Sequence, residues 1–290
     1  MERKFLRNDM PEPINCQWTT SLKAGNMDFH LHNNYEIFLL LEGSISYFVE
    51  QSCYHMNPGD LILFNSQEIH KAINVLDTPF TRMVLHVNPM FIRQFCTSRT
   101  NLLACFHHHG PGLDNMRTLT PEQAKRHREL FCRIKEFSGR NDYGSDLQSI
   151  TAVIELLLMV NECFSSTVPK NAGAGHDRIW PIMTYIDEHL TEHLTLENIA
   201  KTLSMDKYYL SHLFKKETES SIFQYILVKR IALSKELLSQ GYTVTEACQQ
   251  AGFNDYSNFI RSFKKITGYS PGQFKKNHAG AGFAPSPDSL

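Results

Sequence analysis

The nonapeptide LSHLFKKET, Leu210–Thr218, returns 49 positions later as FIRSFKKIT, Phe259–Thr267. Further upstream LENIA, Leu196–Ala200, matches VTEAC, Val244–Cys248, at an offset of 48, and Ser221 falls on Ser270 at the longer offset. One supersecondary unit therefore occurs twice, with one extra residue in the turn of the second copy. In the first copy Thr195 is placed to cap a helix over 196–203, Ser204-Met205 turns the chain, and Asp206 caps a second helix over 207–218. In the second copy Thr243 caps the first helix, Gly252-Phe253 supplies the turn, and Asp255 caps a helix to Ile266. Two short helices joined by a tight turn form a helix-turn-helix, whose second helix enters the DNA major groove. A long helix from Phe223 to Ser239 bridges the copies and can hold both second helices in successive grooves on one side of a duplex.

Each second helix divides by face. Leu210, Leu213 and Phe214 share an apolar stripe, as do Phe259 and Phe263, and these belong to a core. Tyr208, Ser211 and His212 lie at i, i+3 and i+4 on another face; Tyr256, Ser257, Asn258, Ile260 and Arg261 occupy the corresponding face of the second copy. Arg261 has the fork that pairs with guanine, Asn258 the amide that pairs with adenine, and Ile260 the methyls that touch thymine. Lys215, Lys216, Lys264, Lys265 and Lys275 are expected on phosphates, where they add affinity without reading sequence. The charge is distributed to match. Lys201 to Lys276 holds twelve basic and six acidic residues, a local +6, inside a chain whose 29 Lys and Arg against 30 Asp and Glu leave −1. Such a local excess points to a polyanionic partner.

These residues carry a specific resemblance. The pattern Leu196-x-x-Ile199-Ala200, Tyr208-x-Leu210-x-x-x-Phe214-Lys215-Lys216, Arg230 and Ala232 continues through Gly252-Phe253-Asn254-Asp255-x-Ser257-x-Phe259-x-Arg261-x-Phe263-Lys264-Lys265 to Gly268-x-Ser270-Pro271. Over about residues 178–276 it resembles the DNA-binding domain of the AraC/XylS family of bacterial transcription regulators. One departure is Glu219, where the first copy of that family's repeat usually has the glycine that the second copy has here at Gly268.

The N-terminal half reads differently. From residue 14 to about 87, short apolar runs are cut by Glu42-Gly43 and Asn57-Pro58-Gly59-Asp60, which predicts β-strands in a sandwich or barrel. From Pro89 the pattern turns helical, with Pro121 opening a helix to about Phe137. The layout His30-x-His32-x-x-x-Glu36, then Gly43, then the Asn57–Asp60 turn and His70, resembles the two motifs of the cupin barrel. In cupin enzymes the corresponding residues hold a divalent metal, and three imidazoles with one carboxylate suit Fe, Mn, Ni or Zn. In AraC-type sensor domains the resemblance implies instead a polar pocket for a small effector, commonly a sugar or another metabolite. His30, His32, Glu36 and His70 are the expected effector ligands, joined by Arg82 and His86 at alternating parity on a later strand. His107-His108-His109 precedes Gly110-Pro111-Gly112 and is read as a loop.

A further helix is expected over 145–164. Leu147, Ile150, Ile154, Leu157 and Asn161 follow a 3-4-3-4 spacing, the seam of a coiled coil, and Asn161 inside it can fix the register of a dimer. Val153, Leu156, Leu158 and Val160 widen that face, so packing within its own domain is the other reading.

The expected organisation is α+β: a cupin-like β-barrel with appended helices over 1–164, a linker at 165–177 (SSTVPKNAGAGHD), an all-α domain of two helix-turn-helix units over 178–278, and a tail at 279–290. A run of about 18 apolar residues is absent, which argues against a membrane span. Met1–Met10 lacks the apolar core of a secretory signal. Seven scattered cysteines without a Cys-x-x-Cys pair read as reduced thiols, and so as a cytoplasmic chain. The sequence thus predicts an effector-responsive regulator and not an enzyme, with no cofactor, acting as a homodimer on promoter DNA with RNA polymerase as a further partner. Activation is the mode the family resemblance implies. A metal-sensing regulator, or a metal-dependent cupin enzyme fused to a DNA-binding domain, is the alternative.

Overall fold

Alternation along β2 (Tyr35–Glu42) sets up two cores at once. Tyr35, Ile37 and Leu39 point to one face of the strand and Phe38 and Leu40 to the other, and all five are buried. A strand buried on both faces must be covered twice, and the computed structural model shows by what. It describes residues 13–21, 28–73, 78–107, 110–166 and 178–278. Of these, Phe29–His32 and residues 178–278 make one compact unit, and the rest make the other.

In the sheet-rich unit, β1 (Ile14–Ser21), β7 (Phe80–Val87), β2, β5 (Asp60–Phe64) and β8 (Met116–Thr118) form an antiparallel sheet in that order. A second sheet has the order β4 (Ser52–Met56), β3 (Ile45–Val49), β6 (His70–Ile73). Phe38, Leu40, Ile45, Tyr47, Tyr54, Phe64, Phe80 and Val84 from both sheets form one core. The opposite face of the five-stranded sheet meets the helices α1 (Pro89–Arg93), α2 (Pro121–Ser138) and α3 (Ser145–Ser166) in a second core. Thr120 and Gln123 form a reciprocal capping box at the start of α2, with Pro121 in the first turn.

Two sequence expectations need correction in this unit. The stretch after Pro89 is not continuously helical: a 3-10 turn at Ala104–Phe106 and strand β8 intervene. Helix α3 runs to Ser166, so residues 165 and 166 are helix and not linker. By length and composition α3 is apolar enough to cross a membrane, but Ala152, Val153, Leu156, Leu157, Val160 and Cys163 are buried in the core of this unit. The rest of the expected linker, the tail, Met1–Met10 and His108-His109 lie outside the described residues.

The second unit contains α4 (Trp180–Glu188), α5 (Leu196–Thr202), α6 (Lys207–Thr218), α7 (Ile222–Ser239), α8 (Val244–Gln250), α9 (Tyr256–Thr267) and α10 (Pro271–His278). The duplication read from sequence extends to single hydrogen bonds. Met205 N donates to Ala200 O at 2.9 Å, and Phe253 N donates to Cys248 O at 3.1 Å. Ser204 and Gly252 turn the chain at left-handed φ of 53° and 80°. A Cβ on Gly252 would lie 2.9 Å from Thr191 Cα and its carbonyl oxygen, so this position excludes side chains sterically as well as conformationally. Thr195, Asp206, Thr243 and Asp255 cap α5, α6, α8 and α9 as the sequence indicated.

Helix α7 joins the copies and is buried on several sides through Ile222, Tyr225, Ile226, Val228, Ile231, Leu237 and Leu238. Tyr225 sits edge-on to Phe214 of the first copy at 5.7 Å and to Phe29 at 5.0 Å. Ile231, Leu237 and Leu238 pack with Phe259, Phe263 and Phe274 of the second. The Arg230 guanidinium donates to the carbonyls of Leu190 and Glu192, and Lys229 pairs with Asp187 at 3.0 Å, tying α7 to the segment around α4. Lys235 is buried, donates to the His32 carbonyl at 3.4 Å, and has its ammonium pKa pushed down to about 7 by burial.

Candidate nucleic-acid interface and effector site

Helices α6 and α9 each bury one stripe and expose the other. Leu210, Leu213 and Phe214 on α6, and Phe259 and Phe263 on α9, are in the core. That fixes the rotation of each helix, so the face opposite is set by 3.6-residue periodicity. On α6, Tyr208 and His212 are exposed and Ser211 is half-buried. On α9, Tyr256, Ser257, Asn258 and Arg261 are exposed. Ile260 is half-buried against the second-copy core, which leaves only part of its side chain for a thymine methyl. The Asp206 and Asp255 caps hold the first turns of both helices: Asp206 accepts from the backbone of Tyr208 and Tyr209, and Asp255 from that of Asn258.

Charge follows the same geometry. Lys215, Lys216, Lys264 and Lys265 are exposed in the last turns of α6 and α9. Among the described residues Arg261, Lys215, Lys216 and Lys264 have no ion-pair partner. Exposed cations without internal anions are what a phosphate backbone requires. Lys275 has another role: its ammonium donates to the carbonyls of Gly241 and Tyr242 at 2.9 Å each, just past the C-terminus of α7. These bonds tie α10 to the loop after α7.

In the sheet-rich unit, cross-strand register builds the polar cluster. Glu36 on β2 lies opposite His86 on β7 and opposite Phe64 on β5. All three share the inner face with Phe38 and Val84. Glu36 Oε2 meets His86 Nε2 at 3.0 Å and His70 Nε2 at 3.8 Å. The His70 ring stacks on Phe64 at 4.1 Å, and Tyr47 stands 6.5 Å from His70. Burial, reinforced by the negative charge of Glu36, raises the Tyr47 phenol well above its ordinary range, so it stays a neutral donor. Arg82 shares this face but bonds Ser21 Oγ at 3.1 Å and covers the Phe80 ring at 5.0 Å. His30 and His32 lie on the segment that belongs to the helical unit. The inter-sheet space is otherwise filled by aromatic and aliphatic side chains. Sequence reading missed Tyr47 and Phe64; the strand alternation that placed Glu36 would have placed them too.

The expected dimer seam on α3 also needs correction. Leu157 is fully buried in its own unit, and Asn161 is engaged by neighbouring backbone: its side chain accepts from Cys105 N at 2.8 Å and donates to Leu102 O at 2.9 Å. Ile150 and Ile154 are half-buried against the same core. The outward face of α3 is centred instead on Leu147, Thr151 and Leu158, all exposed. A 3-4 spacing does not distinguish a helix that packs on a partner from one that packs on itself.

Comparison with known proteins agrees with both halves. Residues 24–157 match the family model of the AraC-like ligand binding domain, and residues 199–277 match a helix-turn-helix domain model. The chain is 26% identical over 240 residues to the HTH-type transcriptional regulator YbfI of Bacillus subtilis, covering 79% of this chain and 80% of that one. It is 24% identical over 280 residues to the regulator YdeC of the same organism, covering 91% and 92%. Among solved structures, ToxT of Vibrio cholerae aligns over 92% of this chain and 99% of its own, with 15% identity and a TM-score of 0.38.

Proposed function

This chain belongs to the AraC family of transcription regulators, and from that premise we infer a sequence-specific regulator that reads promoter DNA with α6 and α9 and answers to a small-molecule effector. Its relatives are transcription regulators, and it has a DNA-binding helix-turn-helix domain and a ligand-binding domain. The observation that carries the finer reading is the pair of exposed polar faces on α6 and α9, each flanked by exposed lysines in the helix's last turn. Tyr208, Ser211, His212, Tyr256, Ser257, Asn258, Ile260 and Arg261 read bases; Lys215, Lys216, Lys264 and Lys265 hold phosphates. The sensor and dimerisation domain ends with α3, a linker follows to residue 177, and residues 178–278 bind DNA.

The effector, a sugar or related polar metabolite, contacts Glu36, His70 and His86 at the ends of β2, β6 and β7, with Arg82 as a further ligand. Buried imidazoles and a carboxylate supply both donors and acceptors for hydroxyl groups. Binding shifts the population of homodimer geometries able to engage two half-sites in the cytoplasm, and the occupied promoter recruits RNA polymerase, so activation is the expected sign. Glu36 and His86, 3.0 Å apart, are donors that a first-row divalent metal accepts, and a metal-sensing regulator is the second reading.

Footprinting on the chain's own upstream region, followed by titration of the protected fragment with Arg261→Ala, tests the DNA reading. A loss of about 1–3 kcal/mol confined to the cognate fragment, with relaxed discrimination at one base, supports base reading. Equal weakening on unrelated DNA would make Arg261 a phosphate contact. A thermal-shift screen of the full chain against sugars and divalent metals, with and without chelator, separates the two effector readings. At 100 times its dissociation constant, a ligand adds about 2.7 kcal/mol of stability.

A further inference from the structure

Helix α2 leaves one end of the five-stranded sheet's outer face uncovered. The result is a cleft of about 320 Å³, walled by Trp18 of β1, Leu39 and Leu41 of β2, and Lys125 and Arg128 of α2. That volume is at the lower end of small-molecule sites, about 300–1,000 Å³. Lys125 and Arg128 are three residues apart, so they project from one side of α2. The Arg128 guanidinium stands 5.1 Å above the Trp18 ring, and among the described residues neither cation has an ion-pair partner. The one carboxylate in the cleft wall, Glu42, accepts from the Thr81 hydroxyl at 3.0 Å within its own sheet.

An apolar floor, an aromatic face and two unneutralised cations at the mouth define a ligand chemistry. We propose that this cleft binds a small organic anion, its carboxylate held by Arg128 and Lys125 and its ring-sized apolar body lying on Leu41, Ala124 and Trp18. A guanidinium already stacked on an indole presents its N–H edge outward with little rotamer freedom left to lose, which favours a bidentate carboxylate. The site is independent of the effector reading above. Leu39 and Leu41 point to the opposite face of β2 from Glu36, so the two sites share a strand and no side chain.

Trp18 is also the reporter. The chain has two tryptophans, Trp18 and Trp180, so Trp180→Phe leaves a single indole in the cleft. In that background the full-length protein is titrated with 3-phenylpropionate and, separately, with its uncharged isostere 3-phenylpropanol. The expected result is a saturable change in Trp18 emission with the acid at millimolar concentration or below, and none with the alcohol. Arg128→Gln should weaken the acid about tenfold or more, the loss of one charge-assisted pair. Lys125→Gln, at another exposed position of α2, is a second variant that should weaken the acid likewise. Equal response to the alcohol, no saturable response to the acid, or undiminished binding in both α2 variants would each overturn the proposal.

Discussion

Glu219 and Gly268 occupy the same station in the two copies of the repeat, immediately after the second helix, and both adopt the left-handed conformation at φ of 52° and 83°. Gly268 does so without cost, and its N–H bonds Lys264 O at 2.9 Å. Glu219 is strained there and also sets a negative charge at a helix C-terminus, where the macrodipole disfavours it. Glu219→Gly should therefore stabilise the protein by about 0.5–1 kcal/mol, and Gly268→Ala should destabilise it by about 1 kcal/mol. Urea denaturation of both variants reads this directly. A destabilised Glu219→Gly would show that its side chain contributes more than its backbone costs.

Gly252 is the stricter case. Its left-handed φ is compounded by Thr191, whose backbone stands where a Cβ would be. Gly252→Ala should cost about 2 kcal/mol or more, while Ser204→Gly in the first copy should be neutral or mildly stabilising. A loss of no more than about 1 kcal/mol for Gly252→Ala would mean that the turn conformation, and not the Thr191 approach, sets the penalty.

The lysines divide into two classes that salt dependence can separate. Lys264→Ala should lower the slope of log affinity against log salt by about one, since one phosphate contact goes. Lys275→Ala should leave that slope unchanged and lower the melting temperature, because its partners are the Gly241 and Tyr242 carbonyls. A reduced slope for Lys275→Ala would return it to the phosphate backbone.

Self-association is testable on α3. Leu158 is exposed and Leu157 is not. If the outward face of α3 joins two copies, Leu158→Glu yields a folded monomer in sedimentation, whereas Leu157→Ala lowers stability by about 2–5 kcal/mol through a cavity. A folded Leu158→Glu that remains fully dimeric would sink this interface.

His127 gives a pH dependence with a definite sign. Burial holds its imidazole pKa below the ordinary value of 6.5. The unfolded chain then binds this proton more readily, so its contribution is complete above pH 6.5 and is lost as pH falls below it, by at most about 1.4 kcal/mol per pH unit. His127→Leu should flatten that part of the stability profile; an unchanged slope would assign it to other groups.

The DNA-binding half was legible because its signals are local. Caps at Thr195, Asp206, Thr243 and Asp255 and the apolar stripe of each helix are written within a few residues, and a duplication states each of them twice. The polar cluster was legible through parity alone: once β2 and β7 are strands, Glu36 and His86 can share a face, but only register places them opposite one another. The Trp18–Arg128 cleft was not legible, since those residues are 110 positions apart and meet through the packing of α2 on the sheet. The dimer seam misled for a physical reason. Hydrophobic spacing records that a helix face is covered, not which molecule covers it, and the hydrogen bonds of Asn161 to the loop at Leu102–Cys105 are a long-range fact.

Helix α7 packs with Phe214 through Tyr225 and with Phe259 and Phe263 through Ile231, Leu237 and Leu238. Both second helices share α7 as a core partner, so the two repeats are expected to melt together despite their separate sequences. Duplication here has produced two copies of a helix-turn-helix joined by one shared core helix. The amide protons of α7 should be among the last of the DNA-binding half to exchange, and a lesion beside one reading helix should loosen the grip of the other.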